Sequence, residues 1–358
     1  MKESLLELDP QADALLILQK PNLHSPPELL NEFAPISSTV CHHFNSPIPF
    51  CSETEEDEMD EMRWLDPYLE NGDPNQVVFR VSAKHLCLAS PVFRRMIQGK
   101  FKESEPNEQG LLEIRAPEWN AEAFLIVLDI IHGHHSCVPT QPSLQVVAQV
   151  GVIVDYYDCL EVVRIFFQGW HLSMKIWDKY STRLSEEDGI MGIKPFGHEA
   201  TTALFMAWVV RDQVRFTALT ISAVLSTNAL IETTLPIPAQ ILEAINNQRC
   251  AVIDDIISQI YNLKDYVVSG FVGCNVECSL RLLEVLFRQM NKLNLPMLRP
   301  ERPLWWYTVI SLVTNMGPSG TSVSSRKCHC TLQSHLNIPR NKEDLNIAVP
   351  GLNLKDFQ

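Results

Sequence analysis

A chain of 358 residues, 46% of them apolar, is long enough for about two domains and can bury a sizeable core. Its formal charge of -14 is unevenly placed: residues 1–76 hold 16 Asp and Glu against 3 Lys and Arg, and the remainder is close to balance. That distribution excludes direct nucleic-acid binding, which needs basic surface to displace counterions. Arg211, Asp212 and Arg215 inside the most apolar stretch, Ala203 to Leu230, exclude a membrane span.

Residues 1–60 combine seven prolines, a short apolar patch at Ala14 to Leu18 and the acidic run Glu53 to Glu61. Like charges at this density repel and bury no core, so a disordered acidic tail is expected here. Leu15 to Leu18 reads as a sticky patch in that tail, or as a short helix that docks on a partner or on a dimer mate.

From Gln76 to Val81 the chain is β-prone. Ser82 can cap a short helix carrying Leu86 and Ala89, and Ser90 followed by Pro91 starts another, with Val92, Phe93, Met96 and Ile97 on one face. After a loop, Phe101 to Ser104, the alternation of Leu112, Ile114 and Ala116 with Glu113 and Arg115 predicts a half-buried strand. Asn120 caps a helix with Phe124, Val127, Leu128 and Ile131 at helical spacing, which Gly133 ends. Ser143 caps a further helix, and one from about Asp158 places Val163, Phe166, Phe167 and Trp170 on a common face.

These motifs in order, V-S-A-K-H-L-C-L-A-S-P-V-F-R-R-M, F-K-E, L-E-I, A-F-L-I-V-L-D-I-I-H-G and V-D-Y-Y-D-C, resemble a BTB (POZ) domain, in the wording of the fungal BTB proteins. The resemblance covers roughly residues 77 to 172. It implies an α+β domain in which a small sheet is flanked by helical hairpins, together with protein-protein association and self-pairing as a homodimer through the helices that begin the domain. BTB domains usually open with a strand carrying an acidic residue before an apolar run. The acidic, Pro-interrupted residues just before Val77 do not show one.

The second half reads as a mostly α-helical domain. Gly and Pro residues from Ser185 to Gly197 mark a linker or ordered loop. Apolar residues on most sides from Ala200 to Ala229 suit helices packed among others. Ile241, Ala244 and Ile245, then Val252, Ile256, Ile260 and Leu263, then Leu280, Leu283, Leu286, Phe287 and Met290, supply further helical faces. Gly351 to Phe357 reads as a terminal apolar clip on this bundle. The expected organisation is thus a tail over 1–60, a BTB domain over 61–178, a linker over 179–199 and a helical domain over 200–358.

Catalytic signatures are missing: His198-Glu199 lacks a second histidine four residues on, and no phosphate-binding glycine loop or G-x-S-x-G turn occurs. A non-enzymatic protein without a required cofactor is expected. Ten cysteines without a secretory signal point to reduced thiols or metal ligands in an intracellular protein of the cytoplasm or nucleus. The row His132 to Cys137 offers soft ligands, but His132 also falls in the last turn of a helix, where a partly cationic ring suits the dipole. The stronger metal candidate is Cys274 and Cys278 with Cys328 and Cys330, two short-spaced pairs of the kind that supply a structural zinc. The same C-x-x-x-C spacing also places two thiols on one helix face in a core. A partner contact is offered by Phe101 and Glu103: they match the apolar-x-Glu contact that BTB adaptors of cullin ubiquitin ligases resemble one another in, or Phe101 packs on its helix and Glu103 is solvated.

Overall fold

The computed structural model describes residues 4–22, 75–116, 118–173, 176, 195–301, 307–316, 330–339 and 342–357. The chain forms two units, Met1–Met174 and Lys175–Gln358.

Four strands build the sheet of the first unit: β1 (Ser4–Glu7), β2 (Ala14–Leu18), β3 (Val77–Val81) and β4 (Leu112–Ala116). Their order across the sheet is β1-β3-β2-β4. β2 runs antiparallel to β3, with Leu16 opposite Phe79, and parallel to β4, with Leu16 opposite Ile114. β1 adds a parallel edge beside β3, where Arg80 pairs with Glu7 at 2.9 Å. Ala14, Leu16 and Leu18 are fully buried.

The disordered tail expected from residue 1 therefore does not hold for residues 4–22, and Leu15 to Leu18 is neither a loose patch nor a helix. The apolar run is a central strand because β3 and β4 take up its backbone groups on both sides. Asp13 precedes it and accepts the Ala83 amide at 2.7 Å, tying the strand to the following helix. At the other end Asn22 donates its amide to the Trp119 carbonyl at 2.8 Å and accepts the Ala121 amide at 3.0 Å. The acidic run Glu53 to Glu61 lies outside the described residues.

The expected helices follow β3. α1 (Ala83–Ala89) is capped by Ser82, α2 (Pro91–Gln98) by Ser90, α3 (Ala121–His132) by Asn120 and α4 (Leu144–Tyr157) by Ser143. In each case the side-chain oxygen accepts an amide of the first turn, satisfying a donor that has no partner within the helix. Gly133 ends α3 at φ +83°. α5 (Leu160–Ser173) buries Val163, Phe167 and Trp170. Phe166, expected on the same face, is half-buried and meets His135 edge to face.

The second unit is helical: α6 (His198–Val209), α7 (Gln213–Ser226), α8 (Ala239–Val268), α9 (Val276–Lys292), α10 (Val309–Met316) and α11 (Lys342–Ala348). α6 and α7 are largely buried around their circumference, as their lack of a polar face demands. The segments after Pro238 form one helix of 30 residues. α9 buries Cys278, Leu282, Leu286, Gln289 and Met290. Leu280 is exposed, because that face is set by steps of three and four residues from Cys278.

The C-terminal clip is present. Gly351 has φ +76° and sits so close to α7 that a Cβ would meet the Thr217 side chain at 2.8 Å. Thr217 and Thr220 bond the Leu352 carbonyl and amide at 3.1 and 3.0 Å, and Leu354 is buried. Most of the expected linker over 179–199, together with Trp305, Trp306 and Cys328, lies outside the described residues.

Candidate functional site

The residues that carry the chemistry of the first unit gather where α1 and α2 meet α3 and α4. The Ser90 hydroxyl accepts the Phe93 amide at 3.0 Å and donates to the Tyr157 carbonyl. One serine thus starts α2 and fastens it to the end of α4. Beneath it the Phe93 ring stacks on Tyr157 at 4.1 Å between centroids, and Trp119 Nε1 donates to the Tyr157 hydroxyl at 3.4 Å. Burial pushes the phenol of Tyr157 far above its ordinary value and the thiol of nearby Cys159 up to about 12, so both are neutral packing groups at physiological pH.

The row His132 to Cys137 is dispersed among separate partners. His132 Nδ1 lies 2.8 Å from the Leu128 carbonyl, and its Nε2 accepts the Ser82 amide at 3.0 Å. Those partners require the neutral ring with its proton on Nδ1, and burial lowers its pKa. The cationic last-turn role expected for His132 is corrected accordingly. His134 faces Asp129 at 3.2 Å, His135 lies on Phe166, and Cys137 is exposed.

Phe101 and Glu103 follow α2. Lys102–Ser104 forms a single 3-10 turn closed by the Ser104 hydroxyl on the Phe101 carbonyl at 2.6 Å. The edge of the Phe101 ring covers Gly99, where a Cβ would approach it to 2.7 Å. Even so, Phe101 remains 58% exposed and borders an open groove of about 560 Å³ with Val92, Met96, Arg94 and Arg95. Glu103 is half-exposed. The ring therefore packs partly on its own helix and partly offers itself to solvent. The described part of this unit begins with the strands β1 and β2, and its first described helices are α1 and α2.

In the second unit three of the four expected cysteines come together. The Sγ atoms of Cys274, Cys278 and Cys330 all lie within 4.8 Å of one another, and none is in a disulfide. Among the described residues this is the only such group of three. Cys274 precedes the helix cap Asn275 and is exposed, so the two thiols of C-x-x-x-C do not share a helix face. Cys278 alone is a core thiol, 4% exposed.

Among the described residues no helix is long and apolar enough to cross a membrane. No curated protein and no solved structure matches the chain. Residues 57–168 match the family model of the BTB/POZ domain, which takes in β3, α1, α2, β4, α3, α4 and most of α5. With its mixed sheet, its paired helices and the Ser90 to Tyr157 junction, the first unit of this chain is a BTB/POZ domain, followed by a helical unit.

Proposed function

We propose that the chain is a non-enzymatic association protein, which pairs with a second copy through its BTB/POZ domain and presents the groove beside α2 to a protein partner. A BTB/POZ domain supports protein-protein interaction in general. The observation that carries the finer reading is the groove itself: an aromatic ring 58% exposed beside Val92 and Met96. Exposed aromatics next to aliphatic surface and arginine have the composition of interface anchors. Sedimentation of the full chain tests self-pairing. A mass twice the 40.7 kDa of one chain is expected at micromolar concentration, and a monomer throughout that range overturns it.

A second reading, an adaptor that hands substrates to a cullin-type ubiquitin ligase, is favoured by the same exposed Phe101 with Glu103 in the turn beside it. If Phe101 enters an apolar groove on a cullin, Phe101→Ala costs about 2 kcal/mol, roughly a thirtyfold loss of affinity. The assay is binding of the full chain to a cullin N-terminal domain, with melting curves run alongside. Absence of binding by the folded parent removes the cullin and leaves the association reading to stand on its own test.

A further inference from the structure

The cysteine cluster plays no part in the association reading. Its geometry begins in the loop ahead of α9. Gly273 has φ +108°, and a Cβ there would meet the Ser279 hydroxyl at 2.5 Å and its amide at 2.9 Å, so only glycine lets the loop fold back over the first turn of the helix. The Ser279 hydroxyl holds the fold by donating to the Val272 carbonyl at 2.6 Å. Asn275 caps the helix, accepting the Cys278 amide at 2.8 Å. The result is that Cys274, which belongs to the loop, returns its sulfur to the side of the helix where Cys278 points inward.

The third thiol arrives from far along the chain. Cys330 stands just before a 3-10 turn, Leu332–Ser334, whose Thr331 and Ser334 cap each other reciprocally and whose Leu332 is fully buried. A separate segment is thereby fixed with its cysteine against the start of α9.

Simple packing accounts for Cys278 and for neither of the others: Cys274 is exposed and Cys330 half-exposed. A disulfide joins two sulfurs at about 2.05 Å and has no use for a third. A tetrahedral zinc with bonds of about 2.3 Å has sulfurs about 3.8 Å apart along its edges, and the three separations here, all within 4.8 Å, reach that with small side-chain movements.

We propose that Cys274, Cys278 and Cys330 bind a zinc ion as thiolates, and that the ion fastens residues 330–339 to the beginning of α9. Each thiol gives up its proton on binding, so apparent affinity rises with pH. The ion acts as a structural tie between segments 52 residues apart, Cys278 to Cys330, whose described thiols form no disulfide.

The test uses the full chain, purified reduced without chelator from zinc-supplemented medium. One zinc per chain is expected by elemental analysis. Stripping the zinc should raise hydrogen exchange across residues 330–339 while leaving β3 in the other unit unchanged. Cobalt put in its place should show thiolate-to-metal charge transfer from at least three sulfurs. Cys278→Ser replaces a buried side chain and could lower zinc content by unfolding the unit, so the deciding variant is Cys274→Ser, at an exposed loop position. Loss of bound zinc with the melting of the stripped parent retained supports the site, and Cys137→Ser, an exposed thiol of the other unit, should keep its zinc. A parent that neither carries zinc nor binds it in competition with a chromophoric chelator, or a Cys274→Ser chain that keeps its full zinc, overturns the proposal.

Discussion

Leu16 gives the sharpest test of the sheet. It is fully buried in the strand between β3 and β4, opposite Phe79 on one side and Ile114 on the other, both also fully buried. Leu16→Ala removes three carbons from a site that two neighbouring strands hold open, so little of the cavity can collapse. The cost of such a change is about 3 kcal/mol, a large part of the stability of an ordinary domain. Hydrogen exchange read by mass spectrometry on the Val77–Val81 strand localises the effect to this unit. Where opening is fast relative to exchange, 3 kcal/mol appears as roughly a hundredfold loss of protection. Leu5→Ala, on the edge strand and 58% exposed, should stay within about 0.5 kcal/mol of the parent. If Leu16→Ala exchanges like Leu5→Ala, residues 14–18 are not the central strand.

Two further outcomes follow from named contacts. His132 is held neutral by burial, with a pKa below its ordinary 6.5, so the unfolded chain takes up the proton first; stability contributed here is full above pH 6.5, falls as the pH drops below it, and levels off once the folded pKa is passed. Urea midpoints measured from pH 7.5 downward should show that fall in the parent and a flatter profile in His132→Gln. Gly351→Ala places a Cβ 2.8 Å from Thr217 and 2.9 Å from Ile221 at a positive φ, a strain of order 1–3 kcal/mol, and should release residues 351–357 to carboxypeptidase while the rest of the unit still melts cooperatively; resistance equal to the parent's would show that the clip does not depend on this close approach.

The helical parts of the domain were legible because their signals are local. A serine or asparagine followed by an apolar face starts a helix regardless of what lies far away, and Ser82, Ser90, Asn120 and Ser143 all cap as their positions suggest. β2 was hidden because 58 residues, 19–76, separate it from its partner β3, an acidic and Pro-containing stretch, whereas strand pairing is ordinarily read from connections of a few residues. The signal was present: D-A-L-L-I-L from Asp13 is an acid followed by an apolar run, the opening that the resemblance asks for. At the cysteines the spacing alone does not separate a metal pair from two thiols on one helix face, and it favours the helix face. What separates them is where the helix starts, and Asn275 capping at Cys278 puts Cys274 outside it. Phe101 stayed ambiguous for the opposite reason, since a ring can lie partly on Gly99 and partly in solvent, and no sequence pattern apportions the two.

The position of β2 also decides where the domain can be cut. The sequence suggests 61–178 as the BTB segment and the family match starts at 57, yet a chain beginning at either residue lacks β1 and β2. β3 and β4 are not neighbours in the sheet; β2 stands between them. Such a fragment keeps two strands that have no mutual hydrogen bonds and exposes the faces on which Phe79, Val81 and Ile114 are fully buried. Unpaired strand edges with apolar faces associate with one another, so 61–178 should express as aggregate or as a species without a cooperative melt, while 1–174 melts cooperatively. A synthetic peptide of residues 4–22 supplies the missing strands, with Asp13 to meet the Ala83 amide and Asn22 to meet the Ala121 amide. Adding it during refolding should recover protection across the Val77–Val81 strand, and Leu16→Asp in the peptide should abolish the recovery by burying an unpaired charge. A soluble 61–178 fragment that melts as sharply as 1–174 without the peptide would mean that the sheet closes without residues 14–18, and the register of β2 with both its neighbours would then be wrong.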